Sequence, residues 1–151
     1  MNNCIEINDG IIVPPPFATV IAASNAIPGT LDAQGRFVAH YSAKALFEKM
    51  VAANMIPPLV SPVSAYKSKG AFAPWEHQKW MMELMVSHTR AYNLADMGAG
   101  KTNSTLWAFD LLKSMGFVDK LLVITPLSTV DAVWVRDSQN ATPHLTIGTL
   151  L

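Results

Sequence analysis

Hydrophobic residues in the second half of the chain occur in two patterns, one at helical spacing and one in short strand-length segments. Apolar residues three and four positions apart predict one helix over residues 75–89 and another from Leu106 to Met115, which Gly116 is placed to end. Three further segments predict strands: the short run at residues 91–95, the apolar run at residues 120–125 and residues 144–151. Because strands and helices alternate, the pattern predicts an α/β fold with parallel strands and flanking helices.

The first part of the chain has a different pattern. Apolar and polar residues alternate around Asp9-Gly10, which predicts a small hairpin. A helix is predicted further on, with Ser42 placed to cap its first turn. Its apolar face consists of Ala43, Leu46, Phe47 and Met50. We therefore expect residues 1–55 to form a small α+β N-terminal extension.

Residues 56–73 differ in composition from the segments on either side. They contain three prolines and Gly70, with serines and lysines between them. Such a composition predicts a linker, or an extended segment lying over a neighbouring surface. The α/β domain is then expected to occupy residues 74–151.

Composition and charge narrow the classes of protein to consider. The 151 residues are about enough for one domain, and 50% of them are hydrophobic, which is ample for a buried core. Eleven basic and eleven acidic residues cancel, so contact with a nucleic acid would need a local patch. The lone Cys4 cannot form an internal disulfide, which fits a reducing compartment.

Residues 11–28 are apolar enough to raise the question of a signal or membrane segment. Three consecutive prolines interrupt them, and no lysine or arginine occurs before Arg36. A signal peptide begins with positive charge, and a membrane helix needs about 20 uninterrupted apolar residues. We therefore expect a soluble protein that is not exported.

Residues 94–105, LADMGAGKTNST, have the composition of a phosphate-binding loop. Two glycines allow backbone conformations that other residues rarely adopt, so successive N–H groups can point at an anion beside a helix N-terminus. A lysine ion pair at about 4 Å contributes roughly 4 kcal/mol at an effective dielectric of about 20, against about 0.3–1 kcal/mol for the helix dipole. The predicted phosphate-binding residues are Gly98, Ala99, Gly100, Lys101, Thr102 and Asn103.

This loop departs from the usual P-loop pattern at one position. Gly-x-x-x-x-Gly-Lys-Thr would place glycine at residue 95, where this chain has Ala95. The plainer interpretation is a glycine-rich turn that carries a solvated lysine. The apolar run before the loop and the helical pattern after it favour the phosphate-binding loop.

Three segments in the same order resemble a known family. The segment ADMGAGKT is similar to the nucleotide-binding motif of superfamily-two helicases, in which alanine commonly replaces the first glycine, and its Asp-Met-Gly start looks most like the Swi/Snf-type DNA-dependent ATPases. Upstream, PWEHQ resembles the glutamine motif of that family, and downstream VITPLSTVDAVWVRD resembles its motif Ia. The resemblance covers residues 74 to about 137 and implies an incomplete RecA-like P-loop domain.

The resemblance implies roles for the matching residues. Gln78 would recognise adenine, because a side-chain amide can both donate to and accept from the base; the alternative is a glutamine on a helix surface. Lys101 and Thr102 would be the catalytic residues of the loop. Thr102 would hold the magnesium ion that accompanies ATP. ATP and Mg²⁺ are therefore the expected cofactors.

The same resemblance implies a contact with DNA at the start of the last predicted helix. Thr125, Pro126 and Ser128 would touch the DNA backbone through hydroxyl and amide groups. Pro126 and Ser128 also have a purely structural interpretation, as a strand exit and as a helix cap that pairs with Asp131.

Hydrolysis in this family also needs groups that this sequence does not contain. An Asp-Glu motif holds magnesium and orients the attacking water, and a second RecA-like domain supplies an arginine. No Asp-Glu pair occurs in the chain. The arginine alone can account for about three to five powers of ten in rate, so we expect nucleotide binding without appreciable hydrolysis.

Three interpretations follow. The favoured one is the N-terminal part of a Swi/Snf-type or related superfamily-two helicase or translocase of phage or bacterial type, whose parent would use ATP to move on double-stranded DNA in the cytoplasm. A stand-alone nucleotide-binding or competitor module without enzymatic activity is the second. The third, a small P-loop kinase, would need several arginines in a lid, and only Arg90 and Arg136 follow residue 73.

Overall fold

The computed structural model describes residues 4–7, 10–14, 17–18, 21–22, 27–40, 43–56 and 59–150. The chain forms two compact units. The N-terminal unit consists of Met1–Ser64 with Ser87–Thr89, and the C-terminal unit consists of Ala65–Val86 with Arg90–Leu151. The residues predicted to form a linker, 56–73, are therefore divided between the two units.

A five-stranded sheet is the centre of the N-terminal unit. Its strands are β1 (Cys4–Ile7), β2 (Gly10–Val13), β3 (Gly29–Leu31), β4 (Phe37–His40) and β5 (Leu59–Val60), in the spatial order β3-β4-β2-β1-β5. β1 and β2 pair antiparallel with Ile7 opposite Gly10, which is the arrangement predicted for the alternating residues around Asp9-Gly10. Asp9 itself lies outside the described residues. Only the short β5 joins the sheet in parallel, beside β1.

One helix, α1 (Lys44–Ala52), packs its apolar side into the core of this unit. Phe47 is completely buried, together with Ile11 and Val13 of β2. This helix begins after Ala43, which makes no capping hydrogen bond with its side chain. Ser42, the predicted cap, lies outside the described residues.

The C-terminal unit is built on helices. They are α2 (Glu76–Ser87), α3 (Lys101–Ser114) and α4, which joins Leu127–Thr129, a π-helical stretch Val130–Val135 and Arg136–Ala141. The buried face of α3 includes Trp107, which donates from Nε1 to the Ala141 carbonyl at 3.2 Å. This bond holds the end of α4 against α3.

The end of α3 agrees with the sequence-based prediction. Gly116 has a left-handed φ of 79°, and its N–H donates to the Lys113 carbonyl, while the N–H of Phe117 donates to the Leu112 carbonyl. These two bonds form a Schellman motif, which satisfies carbonyls at the end of a helix. Glycine is suited to this position because a left-handed φ carries no Cβ penalty there.

The three predicted strands of this unit are not formed in the described residues. Residues 91–95, 120–125 and 144–150 have no strand assignment, and Leu122 and Ile124 are 77% and 91% exposed. A strand needs a neighbour to satisfy its N–H and C=O groups, and no described segment pairs with these runs. The described residues therefore contain no parallel RecA-like sheet, although the runs alternate with helices in the expected order.

Candidate functional site

The loop that precedes α3 turns sharply at two glycines. Gly98 and Gly100 have φ values of 83° and 79°, so both have the left-handed conformation that the sequence predicts for them. Between them, the N–H of Ala99 donates to the Asp96 carbonyl at 3.3 Å. Gly100 is the N-cap residue of α3, and the turn therefore leads directly into the first turn of that helix.

Several polar groups of this loop and helix start make no hydrogen bond to any described residue. They are the N–H groups of Gly98, Gly100, Lys101, Thr102 and Asn103 and the Thr102 hydroxyl. N–H groups at a helix N-terminus carry partial positive charge and point outward along the axis. The turn thus places several unused N–H hydrogen-bond donors beside the Thr102 hydroxyl. Such donors could bind the phosphates of a triphosphate, and the hydroxyl could bind its metal ion.

Lys101 folds back over the loop. Its Nζ donates to the carbonyl of Ala95 at 2.7 Å and to the carbonyl of Asp96 at 2.8 Å. An ammonium group has three donors, so one is left for a ligand. The half-buried lysine therefore closes the loop and keeps its charge at the turn.

Gln78 lies against this turn. A Cβ added at Gly100 would collide with the Gln78 side-chain amide nitrogen. The Gln78 Oε1 accepts from the Trp75 N–H at 2.9 Å, which fixes the direction of the amide plane. The structure therefore brings the residue predicted to recognise adenine next to the residues predicted to hold the phosphates.

Two buried amide atoms beside the loop also lack a partner among the described residues. They are Asn103 Oδ1, in the first turn of α3, and Asn93 Nδ2, just before the loop. The other side-chain atom of Asn93, Oδ1, accepts from the Ala95 N–H at 3.2 Å and so shapes the entry into the loop. Unpaired buried polar atoms are costly, and they are common where a ligand completes a site.

The residues predicted to contact DNA lie together at the start of α4. Thr129 donates its hydroxyl to the Pro126 carbonyl at 2.8 Å, so the 2.6 Å contact between the two threonine hydroxyls has Thr125 as the donor. Ser128 is exposed and makes no capping bond, and Pro126 is the N-cap residue. The predicted cap of Ser128 paired with Asp131 is therefore wrong, because the helix begins at Leu127 and Ser128 lies inside its first turn.

No sequence motif predicts the polar cluster around Asp110. This buried carboxylate on α3 accepts from the Tyr66 hydroxyl at 2.8 Å and from His144 Nε2 at 2.7 Å, and Lys69 Nζ lies 3.5 Å away. Burial by itself raises the pKa of a carboxyl, but the hydrogen bonds from His144 and Tyr66 and the nearby charges hold the pKa of Asp110 below its usual value. Burial and the bond to this carboxylate raise the pKa of Tyr66.

A cavity of about 540 Å³ lies elsewhere in the C-terminal unit. Its walls are largely apolar and come from α3, α4 and the segments on both sides of α4, with Phe109, Leu122 and Trp134 among the lining residues. None of residues 94–103 lines it, whereas Thr125 does. The cavity is therefore distinct from the predicted triphosphate site.

Within the described ranges, no three or more His, Cys, Asp or Glu side chains come together as metal ligands. The helices of the described part of the chain are too short or too polar to cross a membrane.

Comparison of the chain with protein families, with curated proteins and with solved structures returns no match.

Proposed function

We propose that this chain binds ATP with Mg²⁺ in the turn at residues 98–103 and that it is part of a Swi/Snf-type, superfamily-two helicase or translocase. The observation that carries the proposal is the left-handed turn at Gly98 and Gly100, which leads unused N–H groups into the start of α3. The Gln78 amide lies directly beside that turn. Hydrogen-bond donors for phosphates and a side-chain amide able to recognise a base thus occur together.

Each residue has a role that follows from its position. The N–H groups of Gly98 and of residues 100–103 orient the phosphates, and the remaining Lys101 donor binds an oxygen of the terminal phosphates. The Thr102 hydroxyl holds magnesium, which neutralises charge between neighbouring phosphates when it is bound. Gln78 can donate from Nε2 and still accept at Oε1, since a carbonyl oxygen has two lone pairs.

We infer binding without turnover for the chain as it stands. Lys101 and Thr102 belong to the machinery of phosphoryl transfer, but the sequence contains no Asp-Glu pair to orient an attacking water. The parent protein would couple hydrolysis to movement on DNA, with Thr125, Pro126 and Ser128 against the DNA backbone. The exposed Ser128 and the threonine pair supply hydroxyl groups for such contacts.

Calorimetric titration of the full chain with Mg-ATP tests the binding step. Lys101→Ala removes a charged hydrogen-bond donor worth about 1.5–3 kcal/mol, so its affinity should fall roughly 10- to 150-fold. Lys120→Ala is the matched control, because it removes the same charge from an exposed position in the same unit. Equal affinity in Lys101→Ala and the unaltered chain would refute the proposal.

A further inference from the structure

Residues 66–71, which we call the strap, are held on the C-terminal unit at both ends. At the first end, the Tyr66 hydroxyl donates to Asp110 Oδ2 at 2.8 Å, and Lys69 Nζ lies 3.5 Å from Oδ1 of the same carboxylate. At the other end, the Ala71 N–H donates to the Asn140 carbonyl at 2.8 Å. The strap is therefore an attached part of the unit rather than a free linker.

Gly70 lies very close to the backbone at the end of α4. A Cβ added there would collide with the carbonyl oxygens of Asn140 and Ala141. These are backbone atoms at the end of a helix, so they cannot move aside as a flexible side chain can. The Ala141 carbonyl is also held by Trp107, whose indole N–H donates to it. Any side chain at residue 70 must therefore displace the strap.

A short segment of the chain connects the strap to Gln78, the residue proposed to bind the base. Ala71 and Gln78 are seven positions apart in the sequence. Trp75, between them, donates its N–H to Gln78 Oε1 at 2.9 Å and accepts from the Gln78 N–H at 3.0 Å. The backbone of Trp75 thus sets the orientation of the Gln78 amide, which in turn lies against Gly100.

We propose that the strap determines the base selectivity of the nucleotide site, with Gly70 as the positioning residue. This inference rests on the proposed function. When the strap is seated against Asn140 and Ala141, the Trp75 backbone holds the Gln78 amide where it can meet the edge of adenine. Among the described residues no hydrogen bond joins the loop at 98–103 to the strap, so displacement of the strap changes recognition of the base and leaves binding of the phosphates intact.

Three probes on the full chain separate base recognition from phosphate binding: Mg-ATP, Mg-GTP and Mg-tripolyphosphate. For Gly70→Ala we expect the affinity for ATP to fall roughly 3- to 10-fold, the size of one hydrogen bond, towards the affinity for GTP. The affinity for tripolyphosphate should stay within about twofold. Gly148→Ala is the matched control, because a Cβ there meets no atom within 4 Å and residue 148 lies in the same unit.

Tyr66→Phe is a milder second variant, for use if Gly70→Ala does not fold. It removes only the hydroxyl that anchors the strap to Asp110, and a smaller loss of ATP affinity with unchanged tripolyphosphate affinity is expected. An equal loss for ATP and tripolyphosphate, or no loss for either, would overturn the role of the strap.

The unaltered chain distinguishes this inference from the proposed function. If it binds tripolyphosphate and the two nucleotides equally, the phosphate site stands and the selectivity of Gln78 and the strap is refuted. If it binds none of the three probes, the proposed function fails, and the inference fails with it.

Discussion

Substitution of Gly100 by alanine probes the contact between the loop and Gln78. Gly98, Gly100 and Gly116 have φ values of 83°, 79° and 79°, so alanine meets nearly the same backbone strain at each position. Only at Gly100 does the new Cβ also meet a neighbour, the Gln78 amide. The three glycines thus form a matched series in which one variant differs by a single contact.

The expected magnitudes follow from that difference. A left-handed φ costs an alanine about 1–2 kcal/mol, which should be the loss of stability for Gly116→Ala. Gly100→Ala must in addition displace the Gln78 amide from the Trp75 N–H, which adds about 0.5–1.5 kcal/mol. We therefore expect a loss of about 1.5–3.5 kcal/mol for Gly100→Ala.

Tryptophan fluorescence during urea unfolding is a suitable assay. All four tryptophans lie in the C-terminal unit, so the signal reports on the unit that contains the loop. A double-mutant cycle with Gln78→Ala isolates the contact: the additional cost of Gly100→Ala should disappear when Gln78 is absent. If Gly100→Ala costs no more than Gly116→Ala, or if Gln78→Ala leaves its cost unchanged, the described packing of Gln78 on the turn is incorrect.

Three further outcomes are expected. Trp107→Phe removes the indole donor and leaves the Ala141 carbonyl without it, which should lower the stability of the C-terminal unit by about 1–3 kcal/mol in the same urea assay. The pKa of Asp110 is lowered in the folded state, so its contribution to stability is present above the unfolded pKa of about 3.9 and is lost as the pH falls through the folded pKa. Asp110→Asn should therefore be less stable than the unaltered chain at pH 7, and the stabilities of the two should converge below about pH 4. Burial raises the pKa of the Cys4 thiol to about 11, so iodoacetamide at pH 8 should label the chain only after unfolding, and rapid labelling of the native chain would contradict its burial.

Local properties of the chain were the easiest to predict from its sequence. A left-handed φ depends mainly on the residue itself, and the turns at Gly98, Gly100 and Gly116 are confirmed. The start of α4 shows the limit of such reasoning. Ser128 and Asp131 match a capping pattern, but the N-cap residue is Pro126, two positions earlier, so Ser128 lies inside the first turn and caps nothing.

Features that depend on distant residues could not be predicted in the same way. The apolar run at residues 120–125 has the composition of a strand, but a strand forms only where another segment pairs with it, and the sequence does not reveal which segment does. Tyr66 and His144, which hydrogen-bond Asp110, are 44 and 34 positions away, and an acidic residue within a helix gives no local sign of burial. One of the two interpretations of residues 56–73, an extended segment over a neighbouring surface, agrees with residues 66–71, but the sequence does not show which surface they contact.

The π-helical stretch Val130–Val135 has a consequence for how this chain tolerates changes in length. A π-helix bonds each N–H to the carbonyl five positions earlier, one more than an α-helix does. Removal of a single residue from the stretch would restore α-helical spacing, so Leu127–Thr129 and Arg136–Ala141 could both persist. Deletions in natural variants of this protein should therefore be found here more often than in the uninterrupted α3.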